Sequence, residues 1–104
     1  MRPSEALQTH RDAIREIALR HRVTNVRVFG SVLYGEDTED SDLDILVEPT
    51  EDTTMMDIGA IQYELTELLG ISVDVLTPRA LPESFRHRVL ADAAPVRLNR
   101  IFSA

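Results

Sequence analysis

Cysteine is missing from this 104-residue chain. Its absence removes disulfides, zinc–thiolate sites and thiol nucleophiles together, and is compatible with a reducing compartment. Lysine is missing too. All 11 basic residues are arginine, which suits bidentate phosphate or carboxylate contacts but is explained equally by genomic codon bias. Aromatics make up only 5%, with no tryptophan, so few such side chains are available to line a pocket for a small molecule. No window approaches the ~20 consecutive apolar residues that span a bilayer, and the opening MRPSEALQTHRD lacks the apolar core of a secretion signal. A cytoplasmic protein with no membrane partner is expected.

What remains is 43% hydrophobic, enough for one core, and no repeat or Pro/Gly/Ser-rich linker divides it, so residues 1–104 are expected to form a single domain. The net charge of -7 argues against a general nucleic-acid binder, which would need an excess of basic residues, and no direct nucleic-acid binding is expected. The charge is unevenly placed. Between Val28 and Pro78 stand 13 acidic residues and no cation, while the flanks hold every arginine against five acids.

The apolar spacing predicts alternating helices and strands. Leu7, Ile14, Ile17, Ala18 and His21 share one side of a helix begun near Ser4. VRVFG reads as a strand with Val26 and Val28 on one face and Arg27 and Phe29 on the other, ended by Gly30. DLDILVE alternates again: Asp42, Asp44 and Leu46 face one way, Leu43, Ile45 and Val47 the other. Thr54 and Asp57 make a capping-box pattern ahead of a helix carrying Ile58, Ile61, Leu65, Leu68 and Leu69, with Gly70 as its stop. ISVDVL is a third strand in which Asp74 interrupts an apolar run. Pro82 opens a last helix through Phe85, Val89 and Ala93 that ends before Pro95, and a brief strand is drawn at VRL, residues 96–98. Strands alternating with helices imply an α/β fold, a small sheet covered by helices.

Two aspartates two apart on a strand project to one side, roughly 6.5 to 7 Å apart at Cα, and their oxygens converge on a point only if a cation joins them. Hard oxygen donors suit Mg²⁺ or Mn²⁺. With the third strand beside the second, Asp74 would reach the same face and complete a triad for two metals. The alternative is that Asp42 and Asp44 are solvent-facing residues of an edge strand, where charge discourages aggregation. Asp40, Asp42, Asp44 and Glu51 also match four places of a calcium loop, but Ile45 stands where that loop requires glycine. Gly30-Ser31 at the strand-to-turn junction, closed by Gly35, adds backbone that can approach a phosphate, though a Gly-Ser turn by itself is commonplace.

Gly30-Ser31, ten intervening residues and then Asp42-x-Asp44 resemble the signature of the DNA polymerase β-like nucleotidyltransferase superfamily, with Asp74 at the place of its third carboxylate. GSVLYGEDTEDSDLDILV, with Gly35 and the Ser41-Asp42 pair, is similar to its minimal nucleotidyltransferase (MNT) group. The resemblance implies a small mixed β-sheet flanked by helices and a metal-dependent transfer of AMP from ATP to a hydroxyl, with pyrophosphate leaving. It implies that Gly30 and Ser31 hold the triphosphate, that Asp42, Asp44 and Asp74 bind two Mg²⁺ ions, and that Asp74 helps activate the acceptor. It further implies an antitoxin that forms a hetero-oligomer with a HEPN-domain RNase toxin and attaches AMP to a toxin tyrosine. The alternatives are an antitoxin that acts by binding alone and a transferase acting on a small-molecule hydroxyl. One position departs from the pattern: MNT members commonly carry Arg before the second glycine, where this chain has Val32-Leu33-Tyr34. The cation expected near the nucleotide phosphates is absent from that loop.

Tyr34 is expected to pack against the sheet, and Glu36, Asp37, Glu39 and Asp40 to form a solvated or partner-facing loop. Arg11, Arg15, Arg86 and Arg88 are candidate phosphate or partner contacts or ordinary solvated helix residues. Met55 and Met56 are expected in the core or at the helix start, and Tyr63 on the helix surface. His10, His21 and His87 show no ligand-like spacing.

Overall fold

The computed structural model describes residues 1–98. Four strands, β1 (Val23–Phe29), β2 (Leu43–Pro49), β3 (Val73–Leu76) and β4 (Ala94–Pro95), form one mixed sheet in the order β3-β2-β1-β4. β2 and β3 run parallel, whereas β1 is antiparallel to both β2 and β4. The parallel pair requires a crossover, which α3 (Met55–Leu69) supplies. α1 (Pro3–Thr9) and α2 (Arg11–Leu19) precede the sheet, and α4 (Glu83–Asp92) follows β3.

Alternation along the strands divides the core in two. Val26, Val28, Leu43, Ile45, Val47, Val73 and Val75 pack with Ile14 and Ala18 of α2 and Ile61 and Leu65 of α3. Each fully buried Ile or Leu there contributes about 1.5–3 kcal/mol. The opposite face carries a smaller cluster, Phe29, Leu46 and Leu81, against the partly buried Leu76, Val89 and Ala93. α4 is the helix on that side and buries none of its residues fully, so this face is thinly covered. Arg86 fastens α4 to the preceding turn by donating to the carbonyls of Pro78 (2.9 Å), Arg79 (3.2 Å) and Leu81 (2.8 Å).

α3 forms with the predicted caps: the Asp57 N–H donates to Thr54 Oγ1, Asp57 Oδ2 accepts from the Thr54 N–H, and Gly70 ends the helix at φ 66°. From α3, Gln62 accepts the N–H of Val75 at 2.9 Å and so closes part of the exposed edge of β3. Other expectations need correction. The single first helix is two, because His10 takes φ -115° and ψ 25° and bends the chain, although its carbonyl still accepts from Ile14 at 2.9 Å. The fourth strand falls at Ala94–Pro95 rather than at residues 96–98; Val96 adds one further bond, donating to the carbonyl of Val26. Met55 and Met56 do start α3 but are 86% and 84% exposed, since the buried stripe begins a turn later. Among the described residues no helix is long and apolar enough to cross a membrane.

Candidate active site

β2 places Asp44 on the thinly covered face, one position past Leu43, whose side chain enters the main core. Asp44 is flanked in register by Asp74 on β3 and by Phe29 on β1. Register in a parallel pair puts both carboxylates on the same side, on strands about 4.8 Å apart. The Asp that interrupts the apolar run of β3 thus stands in register beside Asp44.

The next residue after Phe29 is Gly30, at φ 75°, which opens a 3-10 turn over Gly30–Val32. A Cβ built on Gly30 would lie 2.1 Å from Asp44 Oδ2. The glycine therefore serves two needs: a left-handed backbone and room for a carboxylate against its Cα. The turn continues through Leu33 N–H to Gly30 O (3.1 Å) and Glu36 N–H to Ser31 O (2.9 Å), with Gly35 at φ 70°.

A cavity of about 530 Å³ opens over these residues. Gly30, Asp44 and Asp74 line it, together with Leu33 and Tyr34 from the loop and Phe85, Arg88, Val89 and Asp92 from α4. Two of the predicted site residues stand outside that lining: Ser31, half-buried in the turn, and Asp42, exposed just before β2. Asp42 still acts on the site. Burial, then Asp74, then Asp42 push the Asp44 carboxyl up to about 6.

The elevation comes from burial first and the neighbouring carboxylates second, and the donors gathered here are all hard oxygens, which fits Mg²⁺. Among the described residues no group of three or more His, Asp or Glu side chains is arranged to hold a metal by itself. Mg²⁺ commonly takes only one or two carboxylates and completes its shell with water and substrate phosphate.

Tyr34 and Asp92 gain a place that the sequence reading did not give them, and Arg88, a candidate phosphate or partner contact there, lines the cavity. Tyr34 is 49% exposed and forms part of the cavity wall instead of packing on the sheet; its hydroxyl donates to Asp92 Oδ2. Arg88 stands beside the same hydroxyl. The available signal was the spacing of Phe85, Arg88, Val89 and Asp92 at i, i+3, i+4 and i+7, one face of α4. The acidic loop also differs from expectation at Asp37, which is 7% exposed and accepts the Ser4 N–H at 2.8 Å, holding the first turn of α1.

The family model for the nucleotidyltransferase domain matches residues 7–97. A Methanocaldococcus jannaschii chain provisionally named a protein adenylyltransferase is 41% identical over 80 residues, covering 77% of this chain and 86% of that one. The protein adenylyltransferase MntA of Thermococcus cleftensis is 34% identical over 90 residues, covering 86% and 88%. A solved structure provisionally described as a minimal nucleotidyltransferase superposes with a TM-score of 0.78 at 42% identity, covering 88% of this chain and 94% of the other. The fold is also similar, at 16% identity and a TM-score of 0.65, to a chain in the complex of tri-AMPylated Shewanella oneidensis HEPN toxin with MNT antitoxin, covering 89% and 73%. The match across nearly the whole chain, and relatives this similar over most of their own lengths, establish that the chain belongs to the nucleotidyltransferase domain family, among the minimal nucleotidyltransferases.

Proposed function

We propose that this protein is the antitoxin of a HEPN-domain RNase toxin and inactivates it by transferring AMP from ATP to a tyrosine hydroxyl. The observation that carries the chemistry is the pairing of Asp44 with Asp74 on parallel strands, with Gly30 drawn against Asp44 at the floor of the cavity. Kinship supports the partner: the alignments with adenylyltransferase relatives cover most of both chains, and the same fold occurs in a complex with an AMPylated HEPN toxin.

In this reading Asp42, Asp44 and Asp74 hold Mg²⁺, and Gly30 and Ser31 lie along the triphosphate. The metal, when bound, neutralises phosphate charge and favours the ionised acceptor. The protein's share is positioning, since phosphoryl-type transfer asks for alignment and charge stabilisation more than covalent chemistry. The tyrosine oxygen attacks the α-phosphorus, a new O–P bond forms, the bond to the β-phosphate oxygen breaks, and pyrophosphate leaves with that electron pair. Asp74 accepts the hydroxyl proton. The thin cover over this face leaves the acceptor side of the cavity open to a second protein.

The test is incubation with ATP, Mg²⁺ and the product of the neighbouring gene as the candidate HEPN toxin, read by intact mass. An adenylyl gain on a toxin tyrosine, lost in Asp42→Ala/Asp44→Ala, is expected. Neutralisation of the RNase that survives that double change would mean action by binding alone.

A further inference from the structure

The cavity sets three carboxylates against one guanidinium. Asp44, Asp74 and Asp92 line it, and a nucleoside triphosphate adds further anionic oxygens. A divalent metal held by Asp44 and Asp74 would offset part of this. Yet Val32-Leu33-Tyr34, the loop segment next to Gly30, offers no cation of its own. Among the residues that line the cavity, Arg88 is the single cation.

The two neighbouring arginines of α4 are used differently. Arg86 spends its guanidinium on three backbone carbonyls and is held in the turn before the helix. Arg88, two positions on and pointed to another side, enters no salt bridge among the described residues and reaches the cavity beside the Tyr34 hydroxyl. Tyr34 in turn donates to Asp92, one helical turn beyond Arg88. The phenol thus links the loop after Gly30 to the cavity face of α4, and the guanidinium beside it shares the cavity with Gly30, Asp44 and Asp74. A guanidinium presents paired N–H donors that match two phosphate oxygens at once.

Resting on the adenylyl-transfer reading above, we infer that Arg88 is the phosphate-binding cation of this site, delivered from α4 to a place that the loop's Tyr34 touches but cannot charge. Arg88 contacts the triphosphate and not the nucleoside. The contact belongs to the polyphosphate, so affinity for ATP depends on Arg88 while affinity for adenosine does not. Since the Tyr34 side chain already reaches Arg88, an arginine at position 34 would bring a guanidinium to the same region.

The experiment is calorimetric titration of the Mg²⁺-loaded protein with ATP and with adenosine, alongside KM and kcat for AMP transfer. Arg88→Ala is expected to weaken ATP binding roughly tenfold or more and to raise KM for ATP, with adenosine binding unchanged. Arg88→Lys should fall between the two, and Arg88→Ala/Tyr34→Arg should recover most of the lost ATP affinity. Should Arg88→Ala fail to fold, Arg88→Gln is read in the same way. An equal loss for ATP and adenosine, or no loss for either, overturns the role of Arg88 while leaving the transfer reading intact. A parent protein that binds no ATP and transfers no AMP overturns both.

Discussion

The carboxylate of Asp44 and the Cα of Gly30 are so close that a methyl group cannot stand between them: a Cβ at Gly30 would meet Oδ2 at 2.1 Å. The strand-turn junction and the first carboxylate of β2 are therefore one structural unit. Gly30→Ala separates two costs. The positive φ of 75° carries about 1–2 kcal/mol of backbone strain for any residue with a Cβ. The clash itself is relieved by rotating a flexible side chain, which is cheap for folding but removes Asp44 from its place. Gly30→Ala should melt only a few degrees lower while AMP transfer drops at least about a hundredfold, since misplacement by ~1 Å can cost that much. Near-parental transfer in a folded Gly30→Ala protein would contradict the assignment.

Asp44 should weaken the fold at neutral pH when metal is absent. Its folded-state pKa, about 6, lies above the ordinary 3.8, because burial, Asp74 and Asp42 disfavour the charge. Below about 4 the carboxyl is protonated in both states and contributes nothing. Between about 4 and 6 the unfolded chain ionises first, so stability falls as pH rises, and above 6 the full penalty is present. Asp44→Asn should therefore stabilise the fold in EDTA at pH 7.5 by about 1–2 kcal/mol after allowing for solvent screening, read as a higher Tm, and leave Tm unchanged near pH 4. The same variant should lose AMP transfer. A stability gain bought with activity is the expected signature of a charge held in place for function.

Asp37 should behave in the opposite sense. Its carboxylate accepts the Ser4 N–H, and that bond holds its pKa below the usual value. The stabilisation is present above the unfolded pKa of 3.8 and disappears as pH falls through the lower folded value. Asp37→Ala should lower Tm at pH 7, with the difference from the parent shrinking under acid, and should leave kcat for transfer unaffected because Asp37 stands outside the cavity. Thermal scans from pH 7 to pH 2.5 check this; a deficit that persists unchanged in acid would rule out the carboxylate as the cause.

Where local pattern and tertiary packing agree, the sequence is legible. The period of two in DLDILV assigns both faces of β2, Thr54, Asp57 and Gly70 bound α3 almost to the residue, and both core layers follow. The pairing of Asp44 with Asp74 needed one further condition, that β3 lie beside β2, and the parallel register meets it. Long-range contacts were less legible. Nothing local marks His10 as the bend, since both halves of the segment have good helical spacing. Asp37 is one of several acids in a loop, and its burial depends on Ser4, 33 residues earlier. Arg88 reads as a candidate contact or an ordinary solvated residue and Asp92 is not singled out, because α4 has no fully buried position to fix its orientation; the contact with Tyr34 shows which side faces the cavity.

Arg86 provides the last test, because it supports the cavity wall without lining it. Its three bonds to the carbonyls of Pro78, Arg79 and Leu81 tie α4 to the segment after β3, on a face where the helix itself buries little. Arg86→Ala removes a charged donor from carbonyls that are partly shielded, at a cost of about 1–3 kcal/mol, measurable as a lower urea midpoint with the slope preserved. Arg86→Lys should recover little, since a single ammonium cannot span acceptors arranged for a planar fork. Loosening α4 also loosens Arg88 and Asp92, so transfer should fall through KM for ATP and be partly restored at saturating nucleotide. If Arg86→Ala lost stability yet kept its KM, the position of α4 would not matter to the nucleotide, and the cavity wall would have to be supplied by another element.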